Sequence, residues 1–415
     1  LEKRLSGLKH VQRVIFVNRY FYPDLSATSQ ILSDLAFYLA SIGVDVIVIT
    51  GRQHYTDAAA SLPPRETLRG VQVIRVATTA FGRTHLLGRA FDYMSFYATA
   101  FWELIRRIRR RDIVVAKTDP PLMSVVAAFA TRLRGARQIN WLQDLFPEVA
   151  LVLEPELLNG TVVRAAQKAR DWSLRHAALN VVLGNLMLKR LRDLGVREDR
   201  VVTIPNWADD RAITPVPHER NPLRSEWGLG GKFVVAYSGN LGRAHEFQTI
   251  MKAAVLLNGQ PDVVFLIIGG GAQLQNVRNF AAIFGLTNIV ERPYQARERL
   301  ALSLGAADVH LITLKPQLEG LIVPSKFYGI AAAQRAIAFI GDAEGEVGAL
   351  VRQYECGACF QVGDEQGLAQ FIRQLAQNRA QAERMGRNAR LALEAEWSQE
   401  KAFEQWHAAL SSLRT

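Results

Sequence analysis

FVVAYSG (233–239), a helical pattern over 246–258 and VVFLIIGGG (263–271) together decide the fold of this chain. Neither apolar run alternates strictly with polar residues, so each reads as a strand buried on both faces of a sheet. A glycine-rich turn ends each run, and a helical pattern follows it. The series continues with NIVERP (288–293), DVHLITL (308–314) and RAIAFIG (335–341). Upstream, VIFVN (14–18), VDVIVIT (44–50), VQVIRV (71–76), DIVVAK (112–117), RQINWL (137–142), LNVVLG (179–184) and RVVTIPN (200–206) form a second such series. SQILSDLAFYLASIG (29–43) reads as a helix with Ile31, Leu32, Leu35 and Leu39 on one face and Gly43 as its stop. Residues 207–231, rich in Pro, Gly and charge, read as a linker. The expected architecture is α/β, with two facing Rossmann-like parallel-sheet domains over 1–210 and 211–393. A C-terminal helix over 394–415 is expected to cross back to the first. Open α/β sheets bind ligands at the carboxyl ends of their strands, so the expected site is the cleft between the domains.

The 415 residues suit two domains, and 49% apolar with 21% charged residues is ordinary for a folded protein. The only cysteines, Cys356 and Cys359 in ECGACF (355–360), lack partners for a zinc site and read as reduced thiols of a cytoplasmic protein. The polar start LEKRLSGLKH has no signal-peptide pattern, and no run approaches the ~20 apolar residues of a membrane span. Residues 1–200 hold 29 Lys and Arg against 18 Asp and Glu, so the whole net charge of +11 lies in the first half. That half is expected to meet something anionic. No nucleic-acid-binding signature is present, and nucleic acid is not an expected partner. FDYMSFYATAFWELIRRIRRR (91–111) joins aromatics to a basic tail and suits an anionic membrane surface. Phe91, Met94, Phe101, Leu104, Ile105 and Ile108 recur at helical spacing, so the stretch reads equally as a core-facing helix with a solvated end.

YSGNLGRAHE (237–246) follows a strand and opens a helix; Gly239 and Gly242 allow close approach of a ligand, and Arg243 adds charge. IIGGGAQL (267–274) has the same form. In QLEGLIVPSKFYGIAAA (317–333), Pro324 ends a loop, Ser325 reads as the N-cap of a helix over 325–334, and Lys326 falls in its first turn. A lysine at the positive end of a helix suits a bound phosphate. Backbone N–H groups of Gly320, Leu321 and Ile322 are expected to point at the same site. A carboxylate beside phosphates, Glu319, makes sense if it holds hydroxyl groups, and a sugar diphosphate offers both. Taken singly, Glu319 and Lys326 read as solvated charges.

The ordered motifs YSGNLG, LIIGGG, RPYQARERL, LEGLIVPSKFYGIAAA, GEVGALV and CGACFQVGD resemble the carboxyl half of retaining GT-B-fold glycosyltransferases of family 4. The likeness is greatest to the bacterial exopolysaccharide, colanic-acid and O-antigen branch. YFYPDLSATSQILSDLA, QDLFPE and IPNWAD resemble the family's first half. The resemblance implies a nucleotide-diphosphate sugar, by default a UDP-hexose, bound by the second domain. It implies a lipid-linked acceptor bound by the first, at the cytoplasmic face of the membrane. Arg243 and Lys326 would hold the diphosphate and stabilise the leaving group, Glu319 would bind sugar hydroxyls, and Asp144 would face the reacting centre. Gly239, Asn240, Gly269, Gly270, Pro293, Tyr294, Gly320, Leu321, Ile322, Pro324 and Ser325 complete the implied donor site, with no metal and no cofactor. Asp144 reads equally as a helix cap before Phe146-Pro147. Gly329 stands where the branch carries a ribose-binding Glu, Gln334 where its helix ends in Gly, and Gln143 where a His is common. A nucleotide-sugar-binding protein that has lost catalysis and a nucleotide-sugar 2-epimerase are the competing readings. A dinucleotide oxidoreductase is disfavoured for want of G-x-G-x-x-G. Metal-dependent transfer is disfavoured because the only Asp pair of that kind, in ADDR (208–211), lies in the linker.

Overall fold

The computed structural model describes residues 13–24, 26–54, 62–81, 86–155 and 160–413. The chain forms two compact units, one of Leu1–Pro205 with Phe403–Thr415 and one of Asn206–Ala402.

The first unit is built on an eight-stranded sheet: β1 (Val14–Val17), β2 (Val46–Gly51), β3 (Arg65–Leu68), β4 (Val71–Val76), β5 (Ile113–Lys117), β6 (Arg137–Trp141), β7 (Leu179–Val182) and β8 (Val201–Thr203). Their order is β3-β4-β2-β1-β5-β6-β7-β8, parallel throughout except for the antiparallel β3–β4 pair. The expectation of a parallel sheet holds because β1, β2 and β5 are buried along their whole length. Strand β3, RETL, escaped the sequence reading because it is polar and lies on the edge, alternately exposed and half-buried.

The helix Leu86–Arg107 buries Phe96, Ala100 and Leu104 in the core against β1, β2 and β5. Phe91, Met94 and Trp102 stay about 60% exposed on its other side. The expected apolar stripe therefore splits: Leu104 and Ile108 are core, whereas Phe91 and Met94 face solvent. Phe96 is fully buried, and Tyr97 donates its hydroxyl to Pro121 O. From the returning C-terminal segment, Phe403 stacks on Tyr38 at 4.3 Å, and Trp406 packs on Trp141 at 4.5 Å.

The second unit holds a six-stranded, wholly parallel sheet: β9 (Phe233–Asn240), β10 (Val263–Gly270), β11 (Ile289–Arg292), β12 (Val309–Thr313), β13 (Ala336–Ile340) and β14 (Gly357–Phe360), in the order β11-β10-β9-β12-β13-β14. Strand β14 lies inside ECGACF, and both cysteines are free. Burial pushes the Cys356 thiol up to about 12 and that of Cys359 to about 11, so both are thiols at neutral pH. The stretch 207–231 is not a bare linker. It contains a short helix, Pro222–Glu226, and seats Leu223, Trp227 and Leu229 against β9 and β10.

The expected single helix over 394–415 is broken. The helix Arg379–Ala392 runs into a π-turn at Leu393–Trp397, Ser398 is extended at φ −62° and ψ 153°, and a new helix spans Gln399–Ser412. Trp397 anchors the break, packed edge-on against Phe327, Tyr328 and Tyr354.

Each sheet reverses direction of winding at its first strand, β1 between β2 and β5, and β9 between β10 and β12. A crevice at the carboxyl end of such a strand is the usual ligand position in open α/β sheets.

Candidate active site

The loops leaving the carboxyl edge of the second sheet carry most of the residues singled out in the sequence. Strands β9 and β10 end side by side, with Gly239 at φ 121° and Gly269 at φ 131°, where L residues are strained. A Cβ on Gly269 would lie 2.2 Å from Gly239 O, and one on Gly239 would lie 2.8 Å from Lys326 Cε. The glycines therefore let Lys326 close down on the strand end.

Lys326 Nζ sits 3.8 Å from the centroid of the Tyr237 ring and donates to the Tyr237 hydroxyl, with Asn240 O at 3.4 Å and His245 Nε2 at 3.5 Å. Tyr237 in turn donates to Asn240 O at 2.8 Å. Among the described residues no carboxylate pairs with Lys326. Burial without a counter-ion brings its ammonium down to about 7. Arg243 and Asn240 are exposed on the same turn.

Glu319 follows the 3-10 turn Pro316–Leu318 and is buried. Its Oε2 accepts the Glu346 N–H at 3.2 Å, at the start of the helix Glu346–Gln353. A Cβ on Gly345 would lie 2.3 Å from that carboxyl group, so only glycine admits it there. Burial raises the Glu319 carboxyl to about 7; Asp342 and Glu346 push the same way, against the Glu346 N–H. Glu319 is thus neither solvated nor loose.

The backbone N–H groups expected to face a ligand are partly spent, since Leu321 and Ile322 both donate to Leu318 O, at 3.0 and 3.3 Å. Of the three, Gly320 alone has no backbone acceptor among the described residues. Ser325 makes no side-chain cap; it is already helical at φ −67°, ψ −16°, ahead of the short helix Lys326–Ala332, and Pro324 is buried before it. Beyond β11, Pro293 and Tyr294 are exposed, and Tyr294 donates to Gly270 O at 3.1 Å with its ring bordering Gly269 and Gly270.

Asp144 belongs to the first unit, just past β6. The helix that follows starts at Glu148 with Pro147 at its N-cap and no side-chain cap bond, so Asp144 is not its cap. Burial raises Asp144 to about 6; its hydrogen bond with Thr118 opposes this, Asp119 reinforces it, and Lys117 opposes it. Lys117, at the end of β5, is 1% exposed and donates to Thr28 O at 3.0 Å, with Nζ 3.8 Å from the Trp141 ring centroid. Burial lowers it to about 7, against Asp119 and Asp144.

Sequence reasoning missed Lys117 and His245. Lysine ending the apolar run DIVVAK was a signal for the first, and histidine within YSGNLGRAHE for the second. Among the described residues no group of three or more His, Cys, Asp or Glu is placed to hold a metal ion.

Two Rossmann-like sheets in two units make this an α/β protein of the GT-B kind. Residues 27–207 match the glycosyl transferase 4-like domain, and residues 219–392 match the glycosyl transferases group 1 family. The chain belongs to the family 4 glycosyltransferases of GT-B fold, a retaining family. It is similar to WbjE of Pseudomonas aeruginosa, named as a glycosyltransferase: 26% identical over 66% of this chain and 68% of that one. It is also similar to WcaI of Escherichia coli K12, a glycosyl transferase named for colanic acid biosynthesis, at 24% over 85% of this chain and 89% of that one. The Anabaena protein HepE, in complex with UDP and glucose, shares the fold at a TM-score of 0.70 and 16% identity, over 97% of this chain and 100% of that one.

Proposed function

We propose that the protein moves a hexose from its UDP-sugar to a lipid-linked saccharide during bacterial polysaccharide assembly, with retention at the anomeric carbon and without a metal. The observation that carries this reading is the Lys326 ammonium, poised over the β9 turn in a shell of neutral groups. Such a cation gains most from an anion that arrives and then becomes more negative, as a leaving diphosphate does. Arg243 on the same turn adds a second charge. Glu319, with its carboxyl titrating near neutrality, accepts or donates a hydrogen bond to sugar hydroxyls. The Tyr294 ring beside Gly269 and Gly270 offers a flat face to the base. The anomeric carbon–oxygen bond to the diphosphate breaks, and the acceptor oxygen attacks from the same face. Its proton passes to the departing phosphate. Asp144, in the first unit, is the residue assigned to the acceptor hydroxyl. The UDP and glucose of HepE, and the colanic acid of WcaI, favour these choices by likeness.

The acceptor's lipid places the enzyme at the inner face of the cell membrane as a peripheral protein. Supporting this are the charge of the first half, the exposed Phe91, Met94 and Trp102, and the exposed Arg109, Arg110 and Arg111 after the same helix. Among the described residues no helix is long and apolar enough to cross a membrane.

Thermal shift against a panel of nucleotide sugars tests the donor, because a ligand that binds only the folded state raises stability by mass action. UDP-hexoses are expected to raise the melting temperature above GDP and ADP counterparts; no shift with any of them contradicts the reading. Gly329, in place of a ribose-binding Glu, favours one alternative, a protein that binds donor without turnover. Release of UDP that depends on an added lipid-linked acceptor separates the two.

A further inference from the structure

We infer that His245 is a positioning residue for Lys326, and that binding of a nucleoside diphosphate loads Lys326 with a proton drawn from solvent. The inference rests on the donor site proposed above and adds to it a partner residue and a proton. His245 Nδ1 lies 2.7 Å from Thr313 O, a carbonyl that can only accept, so Nδ1 carries the hydrogen. The bare Nε2 lone pair is thereby aimed at Lys326 Nζ, 3.5 Å away. Burial, with the Lys326 charge adding, pushes His245 down to about 3, so the imidazole stays neutral across the working range. A neutral acceptor fixes the direction of an ammonium without neutralising it. Tyr237 and Phe247 hold the His245 ring edge-on, at 5.9 and 6.5 Å between centroids.

The titratable groups around Lys326 supply no counter-charge. Tyr237 faces it from β9 and His245 from the turn; Tyr294 reaches Tyr237 from the loop after β11, and Arg243 is a further cation on the turn. Burial holds the Tyr237 hydroxyl protonated. In the unliganded protein the Lys326 ammonium therefore gives up its proton from about pH 7 upward. A diphosphate at the site favours the charged form and lifts that value. The bound state then holds a proton that the free state lacks, and affinity falls as pH rises above about 7, by up to tenfold per unit. Below that pH Lys326 is charged in both states and contributes no dependence.

Calorimetric titration of the full chain with UDP at pH 8, in two buffers of different ionisation enthalpy, counts the protons exchanged. At that pH the terminal phosphate, with a second pKa of about 6, is already deprotonated and adds nothing. Wild type is expected to take up protons and to bind more weakly at pH 9 than at pH 7. Lys326→Arg, charged at every accessible pH, is expected to bind UDP with no uptake. His245→Phe keeps the ring packing but loses the acceptor. It should move the pH dependence of binding to lower pH and, at pH 6, cut kcat about tenfold or more with little change in KM. His245→Asn, which restores an acceptor, should recover most of both. Binding of UDP to wild type with no proton uptake, or a His245→Phe variant that matches wild type in kcat and pH profile, overturns the inference while leaving the donor site standing. Failure of UDP to bind at any pH overturns both.

Discussion

Lys326 brings a positive charge into a shell made of a tyrosine ring, a neutral imidazole and a backbone carbonyl, a costly arrangement unless an anion arrives. Lys326→Ala is expected to weaken diphosphate binding and, beyond that, to lower kcat by about 2–4 kcal/mol of activation energy, because charge grows on the leaving diphosphate. Near-normal kcat in a purified assay would make Lys326 a structural residue. Glu319→Gln keeps the acceptor for the Glu346 N–H, so the fold should tolerate it. Calorimetry should then show weaker binding of the intact UDP-sugar and unchanged binding of UDP; equal losses would place Glu319 away from the sugar. Lys117 allows a test in the other unit. Its proton is held up to about pH 7 in the folded protein and to 10.5 in the unfolded chain, so between those values the unfolded state binds the extra proton. Stability should therefore rise with pH from about 7 toward 10. Lys117→Met should flatten that rise in urea-unfolding series, and an unchanged slope would contradict the assignment. Glu319 and Lys326 were legible because they stand in a motif. The shell that gives them their character was not, since Tyr237, His245 and Gly345 meet them only through strand pairing and loop closure.

At the scale of elements, the strands buried on both faces were readable as uninterrupted apolar runs, and the structure departs mainly at edges and breaks. Strand β3 is short, polar and half-exposed, so nothing in RETL separates it from a loop. The break at Ser398 was hidden because EAEWSQEKAFEQWHAALSSL has good helix formers on both sides; what imposes it is the seat of Trp397 among three aromatic rings. Gln334, noted from sequence as standing where a glycine is usual, does adopt φ 58° between the helix Lys326–Ala332 and β13. A left-handed L residue costs about 1 kcal/mol or more. Gln334→Gly should therefore raise stability by about 1 kcal/mol in chemical denaturation, and a loss would mean that its side chain contributes more than the strain. Gly345→Ala should act the opposite way. Its Cβ would collide with the Glu319 carboxyl, displacing Glu319 and lowering both stability and turnover.

For the whole molecule, the charge asymmetry and the exposed aromatic side of the helix Leu86–Arg107 fall in the same unit. Each basic residue near an anionic bilayer contributes about 1 kcal/mol, and salt weakens the attraction. Co-sedimentation with anionic vesicles is expected at low salt and should weaken when Arg106, Arg107, Arg109, Arg110 and Arg111 become glutamine, with UDP binding unchanged. Equal binding to neutral vesicles would sink that part of the account. The sequence showed the charge, but only the packing of Phe96 and Leu104 into the core reveals which side of the helix is left for a surface. The most direct test of the central claim is a crystal structure of the protein with UDP. The diphosphate is expected at the carboxyl edge of the second sheet, within hydrogen-bond reach of Lys326 Nζ and over the Gly239 turn. UDP bound elsewhere, with Lys326 still turned onto Tyr237 and His245, would contradict it.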